Sequence, residues 1–381
     1  MIIKILSFFT AVITFFVSSF SPIVIKPACE TRTDFTECKN VIFMIGDGMG
    51  FNSINKTKAE EKLAGIAMDT FPLKGESKTR SSDNKVTDSA AGGTALACAV
   101  RTRNSVVGDY SYDKYDLVSH PMNLAELAIT QGKKAGVITT DSTSGATPAS
   151  FSAHTDARGN EADITYQQLR GNLDLIWGTT TASFSEADAA EYGWSTIRNK
   201  TEMDALEEGG RSFGQFSASV WQQVPSKSMP TLTEMTMKAI DLLDDDEDGF
   251  FIMVEGAHID KNSHNNNGEG MKDALLSFDK AIGYALSYAE THGDTLVVVT
   301  ADHETGGITL ENGEYVYTSG SHTGVNVPLL VYGCDGFIKN GEAIKNREVS
   351  RRVACVMGEK CFPIRVKPPV EHGERDLPGC S

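Results

Sequence analysis

The sequence predicts an α/β fold, a three-layer sandwich in which helices flank a central, mostly parallel sheet. Three observations predict it: apolar runs of strand length recur along the chain, helical patterns separate them, and no repeat or low-complexity linker divides the 381 residues. Continuous apolar runs separated by helices are typical of buried parallel strands. A chain of this length can bury one large core, so we expect a single domain.

The predicted elements follow one another in a regular order. Strands are expected over 41–45, 134–140, 249–254, 295–300 and 327–332, where each apolar run ends in a polar or glycine-rich turn. Helices are expected over 122–131, 232–243 and 270–291, where apolar residues recur with helical spacing. The polar segment 178–225 is expected to form a rim or lid, or otherwise to be loop-rich.

The N-terminus predicts export. A lone Lys4 precedes a long apolar run that ends near Ile25, which is typical of a secretory signal peptide. We predict a signal peptide over 1–28 and a catalytic domain over 29–381, secreted or periplasmic, with no stable membrane span after cleavage. Because the apolar run is long enough to cross a bilayer, a retained anchor is the alternative.

Export implies an oxidising compartment, in which the seven cysteines can form disulfides. Cys98 lies in a small-residue helix and is expected to remain a buried thiol. Sequence alone does not fix the connectivity of the others. The pairings suggested by spacing are Cys29 with Cys38, Cys355 with Cys361, and then Cys334 with Cys380.

The formal net charge of −16 argues against a nucleic-acid partner held on a basic face. An anionic substrate would need a locally positive site on such an acidic protein. Bound metal ions are one way to provide it.

The stretch 86–95, Val-Thr-Asp-Ser-Ala-Ala-Gly-Gly-Thr-Ala, places Ser89 at the start of a helix-compatible run. Unpaired N–H groups and the positive end of the helix dipole favour an anion there, either a serine alkoxide or a phosphate oxygen. The alternative is an ordinary Asp-Ser N-cap without chemistry.

Other polar residues favour the chemical interpretation of Ser89. Three predicted strands end in an acid, at Asp47, Glu255 and Asp302, and the carboxyl ends of parallel strands are where ligands gather. Carboxylates and imidazoles without thiolates suit catalytic Zn²⁺. The candidate ligands of this kind are Asp260 and His264 at i, i+4 spacing, Asp302 with His303, and His322.

Six ordered blocks of sequence resemble the alkaline phosphatase family. They are 46–50 (GDGMG), 87–91 (TDSAA), 146–149 (ATPA), 254–256 (VEG), 300–303 (TADH) and 322–324 (HTG). The resemblance covers the chain from about residue 40 to residue 333. It implies an alkaline-phosphatase-like sandwich, a homodimer and the hydrolysis of phosphate monoesters.

The resemblance also implies a role for each matching residue. Ser89 would be the nucleophile of a phosphoserine intermediate, Arg158 would grip two phosphate oxygens, and Lys261 would add positive charge to the substrate site. Asp88 is expected to position Arg158 or the Ser89 turn. The implied ligands are Asp260, His264 and His322 for one zinc, Asp47, Asp302 and His303 for a second, and Glu255, Thr147 and a shared oxygen of Asp47 for a third ion, usually Mg²⁺. Two zinc ions roughly 4 Å apart can stabilise both oxygens of an in-line displacement.

The sequence departs from the family pattern at two places. Gly145 stands where relatives carry Asp or His, so we expect a weaker or differently filled third site, with Asp141, Ser142 or His258 as possible compensation. The interval between His303 and His322 is short, so the large crown-like insertion of bigger relatives should be absent. His154 is expected to be a positioning residue rather than a metal ligand.

The sequence therefore predicts an exported, zinc-dependent phosphomonoesterase. The alternatives are a phosphodiesterase of the same superfamily, a related phosphoglycerate mutase, for which no second domain is evident, and a catalytically silent phosphate- or metal-binding protein.

Overall fold

A ten-stranded sheet forms the centre of the protein. The computed structural model describes residues 23–25, 35–110, 120–217 and 227–367. The strands are β1 Ile23–Ile25, β2 Asn40–Gly46, β3 Leu73–Lys78, β4 His120–Pro121, β5 Lys134–Ser142, β6 Leu175–Thr179, β7 Trp194–Ile197, β8 Arg211–Phe216, β9 Phe250–Gly256, β10 Thr295–Thr300, β11 Glu304–Thr305, β12 Thr309–Glu311, β13 Glu314–Val316, β14 His322–Thr323, β15 Val327–Tyr332, β16 Ala343–Lys345 and β17 Arg365–Lys367.

The order of strands in the large sheet is β16-β3-β15-β10-β2-β9-β5-β6-β8-β7. Strand β15 is antiparallel to both of its neighbours, and the other neighbouring pairs in this sheet are parallel. Two short hairpins, β11 with β14 and β12 with β13, fill the interval between His303 and His322.

Helices cover both faces of this sheet. They are α1 Phe51–Glu60, α2 Ser89–Cys98, α3 Leu124–Thr130, α4 Ala146–Ser150, α5 Glu161–Arg170, α6 Glu186–Glu191, α7 Lys200–Asp204, α8 Leu232–Leu243, α9 His258–His264, α10 Gly268–His292 and α11 Asn346–Val356, with a 3-10 turn at Ala67–Thr70.

The alternation of side chains along β2 divides the core into two layers. Val41, Phe43 and Ile45 pack in the cluster that contains residues of α2, α3 and α11. Ile42 and Met44 point the other way, into the cluster formed with α8 and α10. A strand buried on both faces is apolar at every position, which is why its sequence shows no alternation. The predicted three-layer α/β fold is confirmed.

The parallel register brings the strand-end acids together. Ile45 on β2 is level with Glu255 on β9, and Thr300 on β10 is level with Ile45. Asp47 and Asp302 follow their strands by one or two residues, so three acids lie at one edge of three adjacent strands. This edge is the crevice where open α/β sheets bind ligands.

The expectation of a loop-rich segment over 178–225 is wrong. Strands β7 and β8 lie in this segment and extend the central sheet, and Trp194 is buried against Phe213 with ring centroids 5.4 Å apart. Both strands carry polar residues among their apolar ones, so they do not stand out as continuous apolar runs. Trp221 lies outside the described residues.

The cysteines also differ from the suggested pairings. Cys38, Cys98, Cys334 and Cys355 are buried, reduced thiols, which confirms the expectation for Cys98 and overturns all three pairings. Cys355 points into the core from α11, whereas Cys361 lies beyond the end of that helix and is disulfide-bonded. Cys29 and Cys380 lie outside the described residues.

The predicted signal peptide lies largely outside the described residues, which include only the backbone of β1 from that segment. β1 pairs with β17 in antiparallel register. Among the described residues, no helix combines the length and the apolar character that a bilayer span requires.

An ion pair away from the strand-end acids links helix α3 to the loop after α4. His154 Nε2 lies 2.8 Å from Glu126 Oε1, and the His154 ring stacks on His120 at a centroid distance of 4.9 Å. Burial alone would lower the pKa of His154, but the charge and hydrogen bond of Glu126 raise it from 6.5 to about 9. His154 is therefore a charged structural residue at neutral pH, and it is absent from the candidate metal-ligand groups of the described residues.

This pair predicts a loss of stability at alkaline pH. Because the pKa of His154 is higher in the folded state, its contribution is complete below pH 6.5 and disappears as the pH rises through about 9. We expect about 2–3 kcal/mol of unfolding free energy to be lost over this window. Denaturant unfolding at several pH values measures it. Over this window His154→Gln should lose less stability than the parent protein, and the exposed His292→Gln should match the parent; an equal loss in His154→Gln and in the parent would contradict the assignment.

Candidate active site

Ser89 is the first residue of helix α2 and is 4% exposed. Asp88 is the N-cap, and its Oδ1 accepts a hydrogen bond from the backbone N–H of Ala91 at 3.0 Å. The small residues of α2 have a packing reason, because a Cβ on Gly92 would lie 3.0 Å from both the Cβ and the carbonyl oxygen of Asp302. Glycine therefore lets the helix carrying Ser89 approach the end of β10.

A first group of metal-type ligands is formed by Asp260, His264 and His322. Helix α9 places Asp260 and His264 one turn apart on one face, with His264 Nε2 3.3 Å from Asp260 Oδ2. His322 reaches the same point from β14, with its Nε2 3.0 Å from His264 Nε2 and 3.6 Å from Asp260 Oδ1. One carboxylate and two imidazoles thus converge within the reach of a single ion.

A second group surrounds His303, which is fully buried. Its Nε2 lies 3.5 Å from Asp47 Oδ1, 3.2 Å from Asp302 Oδ2 and 3.2 Å from Ser89 Oγ. Asp260 also lies within reach of Asp47 and His303, so it stands between the two groups. The Ser89 hydroxyl therefore faces the second group directly.

Hydrogen bonds orient the three imidazoles. The Nδ1 atoms of His264 and His322 lie 2.8 Å and 3.0 Å from the backbone oxygens of Gly320 and Thr87. Since a backbone carbonyl only accepts, each Nδ1 carries the proton and each Nε2 lone pair faces the site. For His303 the partner is Thr305 Oγ1 at 3.2 Å, and this hydroxyl in turn donates to Asp260 Oδ1. All three rings thus offer an Nε2 lone pair to the site.

The carboxylates carry uncompensated negative charge. Burial, followed by the charges of Asp302, Asp260 and Glu255, raises the pKa of Asp47 well above its usual value. Burial, followed by the charges of Asp260 and Glu255, raises the pKa of Asp302 to about 8. Burial lowers the pKa of His303 to about 3, so this ring is neutral and cannot neutralise them.

The donor set fits divalent cations. Asp47 Oδ1 and Asp302 Oδ2 are buried without a hydrogen-bond partner, whereas Asp302 Oδ1 accepts from the N–H groups of Gly48 and His303. Buried polar atoms without partners are rare in folded proteins unless an ion or water satisfies them. Oxygen and imidazole ligands together suit zinc.

Comparisons with known proteins agree with this geometry. The family profile described as alkaline phosphatase matches residues 38–213 and 184–334. Alkaline phosphatase 4 of Bacillus subtilis is 31% identical over 320 residues, with 76% of this chain and 66% of that protein covered. The alkaline phosphatase of Escherichia coli K12 is 31% identical over 333 residues, with 70% of each covered. This chain belongs to the alkaline phosphatase family.

A solved structure extends the comparison to the fold. A variant of TAB5 alkaline phosphatase, solved with Mg bound in its M3 site, is 30% identical with a TM-score of 0.73, covering 85% of this chain and 99% of that one. The predicted family and phosphatase class are confirmed. The chain spans about two thirds of the length of the curated relatives that it matches.

The residues implied for a third alkaline phosphatase ion lie beside Asp47. Glu255 is buried and accepts a short hydrogen bond from Thr139, and the Thr147 hydroxyl is buried and oriented towards the same carboxyl. Burial, then the charge of Asp141, raises the pKa of Glu255 to about 7.

Gly145, where alkaline phosphatases commonly carry a side chain, faces Asp141. A Cβ built at Gly145 would lie 3.1 Å from Asp141 Oδ2, so the Asp141 carboxylate occupies the direction that such a side chain would take. Asp141 Oδ1 accepts a short hydrogen bond from Lys261 Nζ. Among the three possible compensating residues, Asp141 is thus the one that faces the gap. His258 Nδ1 instead lies 3.2 Å from Thr140 Oγ1, and the Ser142 hydroxyl lies 2.9 Å from that of Ser144.

The two cationic residues of the alkaline phosphatase pattern have different surroundings. Arg158 is partly exposed, and its Nη1 lies 3.6 Å from Asp88 Oδ2. Asp88 Oδ2 also accepts from the N–H of Ser105 at 2.9 Å, so Asp88 joins the Ser89 turn to Arg158. Lys261 is held by Asp141 on the other side of the site.

The sequence alone does not predict two hydroxyl groups that hydrogen-bond to the candidate ligands, those of Thr305 and Thr139. No motif marks Thr305, and its hydroxyl lies between His303 and Asp260 only because the turn after β10 folds back over α9. Thr139 lies on a predicted strand, but its contact with Glu255 depends on the pairing of β5 with β9.

Thr305→Val should weaken zinc binding. Without the hydroxyl, His303 Nδ1 and Asp260 Oδ1 lose the bond that orients them, and such losses typically cost roughly 10–100-fold in metal affinity. Competition with a chromophoric chelator measures zinc affinity. Thr305→Ser keeps the hydroxyl and should restore it, whereas unchanged affinity in Thr305→Val would show that the hydroxyl is dispensable.

Proposed function

We propose that this protein is a metal-dependent phosphomonoesterase that hydrolyses phosphate monoesters through a phosphoserine on Ser89. The observation that carries the proposal is the position of Ser89 Oγ, 3.2 Å from His303 Nε2 and beside the unpaired oxygens of Asp47 and Asp302. A nucleophilic hydroxyl and a complete cation-binding donor set meet at one helix N-terminus.

Three cations are proposed for this site. Asp260, His264 and His322 would hold one zinc ion, and Asp47, Asp302 and His303 the other. Glu255, Thr147 and Asp47 would hold a third ion, Mg²⁺. When bound, zinc supplies Lewis-acid chemistry, which activates a hydroxyl nucleophile and stabilises a departing alkoxide.

The residues of the chain bind and orient the phosphate. Arg158 offers a planar pair of N–H donors that matches two phosphate oxygens, and Asp88 restrains its position. The N–H groups at the start of α2 and the helix dipole favour negative charge beside Ser89. Ser89 Oγ attacks phosphorus, its proton passes to solvent, and the bond from phosphorus to the ester oxygen breaks on the opposite side. The departing oxygen takes a proton from solvent and leaves as an alcohol. Water then attacks the phosphorus, the bond to Ser89 Oγ breaks, and inorganic phosphate is released.

Charge explains why the metals are needed. Asp47, Glu255, Asp260 and Asp302 would repel a dianionic substrate, and Arg158 alone does not offset them. Three divalent cations reverse the sign of the pocket on a protein whose net charge is −16. A catalytically silent binding protein would have no need for a hydroxyl beside His303.

Ser89→Ala should abolish the covalent step while preserving the metal site. Turnover of p-nitrophenyl phosphate is expected to fall by several orders of magnitude, because substrate binding alone does not replace the hydroxyl that forms the phosphoserine. Zinc content, measured by elemental analysis, should be unchanged. Ser185→Ala, which removes a remote cap of α6, serves as the control. Turnover by Ser89→Ala at the parental rate would reject the mechanism.

A phosphodiesterase of the same superfamily is the alternative enzyme. Comparison of p-nitrophenyl phosphate with bis-p-nitrophenyl phosphate distinguishes them, because Arg158 and the α2 N-terminus offer donors to several free phosphate oxygens. A preference for the diester would overturn the proposed substrate class.

The third ion should bind weakly. Gly145 contributes no carboxylate, and Asp141 is engaged by Lys261. Metal-stripped protein reloaded with two equivalents of zinc should therefore respond only to high Mg²⁺ concentrations. In the double variant Asp141→Ala, Gly145→Asp, the Asp141 carboxylate no longer fills the space beside residue 145, and a new carboxylate is supplied there. This variant should respond to lower Mg²⁺ concentrations than the parent protein. A tight Mg²⁺ site in the parent protein would contradict this prediction.

Export and assembly complete the proposal. We expect cleavage near residue 28, delivery to the periplasm or medium, and a homodimer. N-terminal sequencing of the protein recovered from a producing cell tests the first expectation, and sedimentation equilibrium tests the second.

A further inference from the structure

Three arginines, Arg80, Arg101 and Arg347, cluster at the same edge of the central sheet as the candidate active site, beside the ends of strands β3 and β16. Strands β3 and β16 are parallel, and their last residues, Lys78 and Lys345, are directly paired. Arg80 and Arg347 each follow by two residues. Arg101 belongs to the segment whose Thr102 carbonyl accepts from the N–H of Ser82 at 2.8 Å.

Register shows that this cluster shares an edge with Ser89. Ser77 on β3 is level with Val327 on β15, and Leu329 on β15 is level with Thr300 on β10. The end of β3 is therefore level with Asp302 and two strands away, roughly 10 Å at ordinary strand spacing. Helix α11 is tied to the end of α2 by Ser350 Oγ, which donates to the carbonyl of Ala97 at 3.3 Å.

Among the residues that the structure describes, no acidic side chain pairs with these three arginines. Within the described residues, the guanidinium groups of Arg80, Arg101 and Arg347 take part in no ion pair or hydrogen bond. The adjacent Glu348 faces Arg351 and Arg352, at 3.9 Å and 3.7 Å. Asp83 accepts from the Asn104 N–H and from Ser81 Oγ.

Two donors in this region are buried and unsatisfied. Within the described part of the chain, Arg101 Nε has no hydrogen-bond partner, and neither has the side-chain Nδ2 of Asn346. Asn346 is only 1% exposed, begins α11 and precedes Arg347. Burial and the charges of Arg347 and Arg80 lower the pKa of Arg101. Buried donors and like charges without partners are costly, and an anion would relieve both costs together.

We propose that Arg80, Arg101 and Arg347, with the Nδ2 of Asn346, form a second oxyanion site that binds a phosphate group. Guanidinium groups match tetrahedral oxyanions with paired N–H donors, and a helix start favours the same charge. On a strongly acidic protein this site concentrates phosphate-bearing ligands at the edge where Ser89 lies. The proposal does not depend on catalysis at Ser89.

Calorimetric titration of the zinc-loaded protein with inorganic phosphate tests the stoichiometry. We expect two phosphates per chain in the parent protein and one in the double variant Arg101→Gln, Arg347→Gln. Arg198→Gln removes an exposed arginine paired with Glu186 and should keep both. An equal number of bound phosphates in the parent protein and in the double variant would overturn the proposal, whatever number the active site binds.

The source of the phosphate group is distinguished by a second titrant. Phenylphosphonate carries a phosphate-like group that cannot be hydrolysed by ester cleavage. If it also fills the second site, the ligand is any compound with an exposed group of this kind; if only inorganic phosphate binds there, the ligand is the free anion. Both results support the site.

Thermal unfolding distinguishes phosphate binding by Arg101 from a purely structural role of this residue. In low-salt buffer without phosphate, Arg101→Met should raise the melting temperature, because it removes a partly buried charge beside like charges. Phosphate should stabilise the parent protein more than Arg101→Met, at matched ionic strength. A lower melting temperature for Arg101→Met both with and without phosphate would show a structural role and contradict the proposal.

Discussion

Repulsion among buried carboxylates is the constraint on which the active site depends. Asp47, Glu255 and Asp302 lie at the ends of adjacent strands, and Asp260 faces them from α9. The register of β2 with β9 and β10 fixes the positions of the acids at the strand ends, so the folded chain cannot move them apart. The raised pKa values and the unpaired oxygens of Asp47 and Asp302 indicate that the polypeptide supplies too little positive charge around them. In the proposed function, bound cations would meet this requirement and would also attract phosphate to the pocket.

The rest of the architecture keeps the donors ready for those cations. Each of the three imidazoles is fixed through Nδ1, two by backbone carbonyls and one by Thr305. Gly92 allows α2 to approach β10, so that the Ser89 hydroxyl and the His303 ring meet. Packing thus positions the Ser89 hydroxyl, the proposed nucleophile, and the charges around it determine which ligands the pocket can accept. The arginine cluster beyond β3 shows the opposite imbalance at the same edge.

Much of the fold could be predicted because the central strands are buried on both faces. Each appears in the sequence as a continuous apolar run, and β2, β5, β9, β10 and β15 were expected. Strands β3, β7 and β8 contain polar residues and have no such run. Their assignment depends on neighbours that are distant in sequence. The disulfide pairings failed for a related reason, because proximity along the chain between Cys355 and Cys361 does not imply that their thiols meet.

The candidate site was predictable where chemistry coincides with a motif. Acids at strand ends and the spacing of Asp260 and His264 indicate metal ligands from local sequence alone. The contacts of the Thr305 hydroxyl could not be predicted, because they form when the turn after β10 folds over α9. The orientation of the Asp141 carboxylate towards Gly145 depends on the conformation of the turn that follows β5, which the sequence does not specify. Supporting contacts of this kind leave no local pattern in a single sequence.

Anomalous diffraction at the zinc absorption edge, from crystals of the zinc-loaded protein, tests the central claim most directly. We expect two strong peaks beside Ser89 Oγ, one bounded by Asp260, His264 and His322 and the other by Asp47, Asp302 and His303. Peaks elsewhere in the molecule, or none in this pocket, would contradict it.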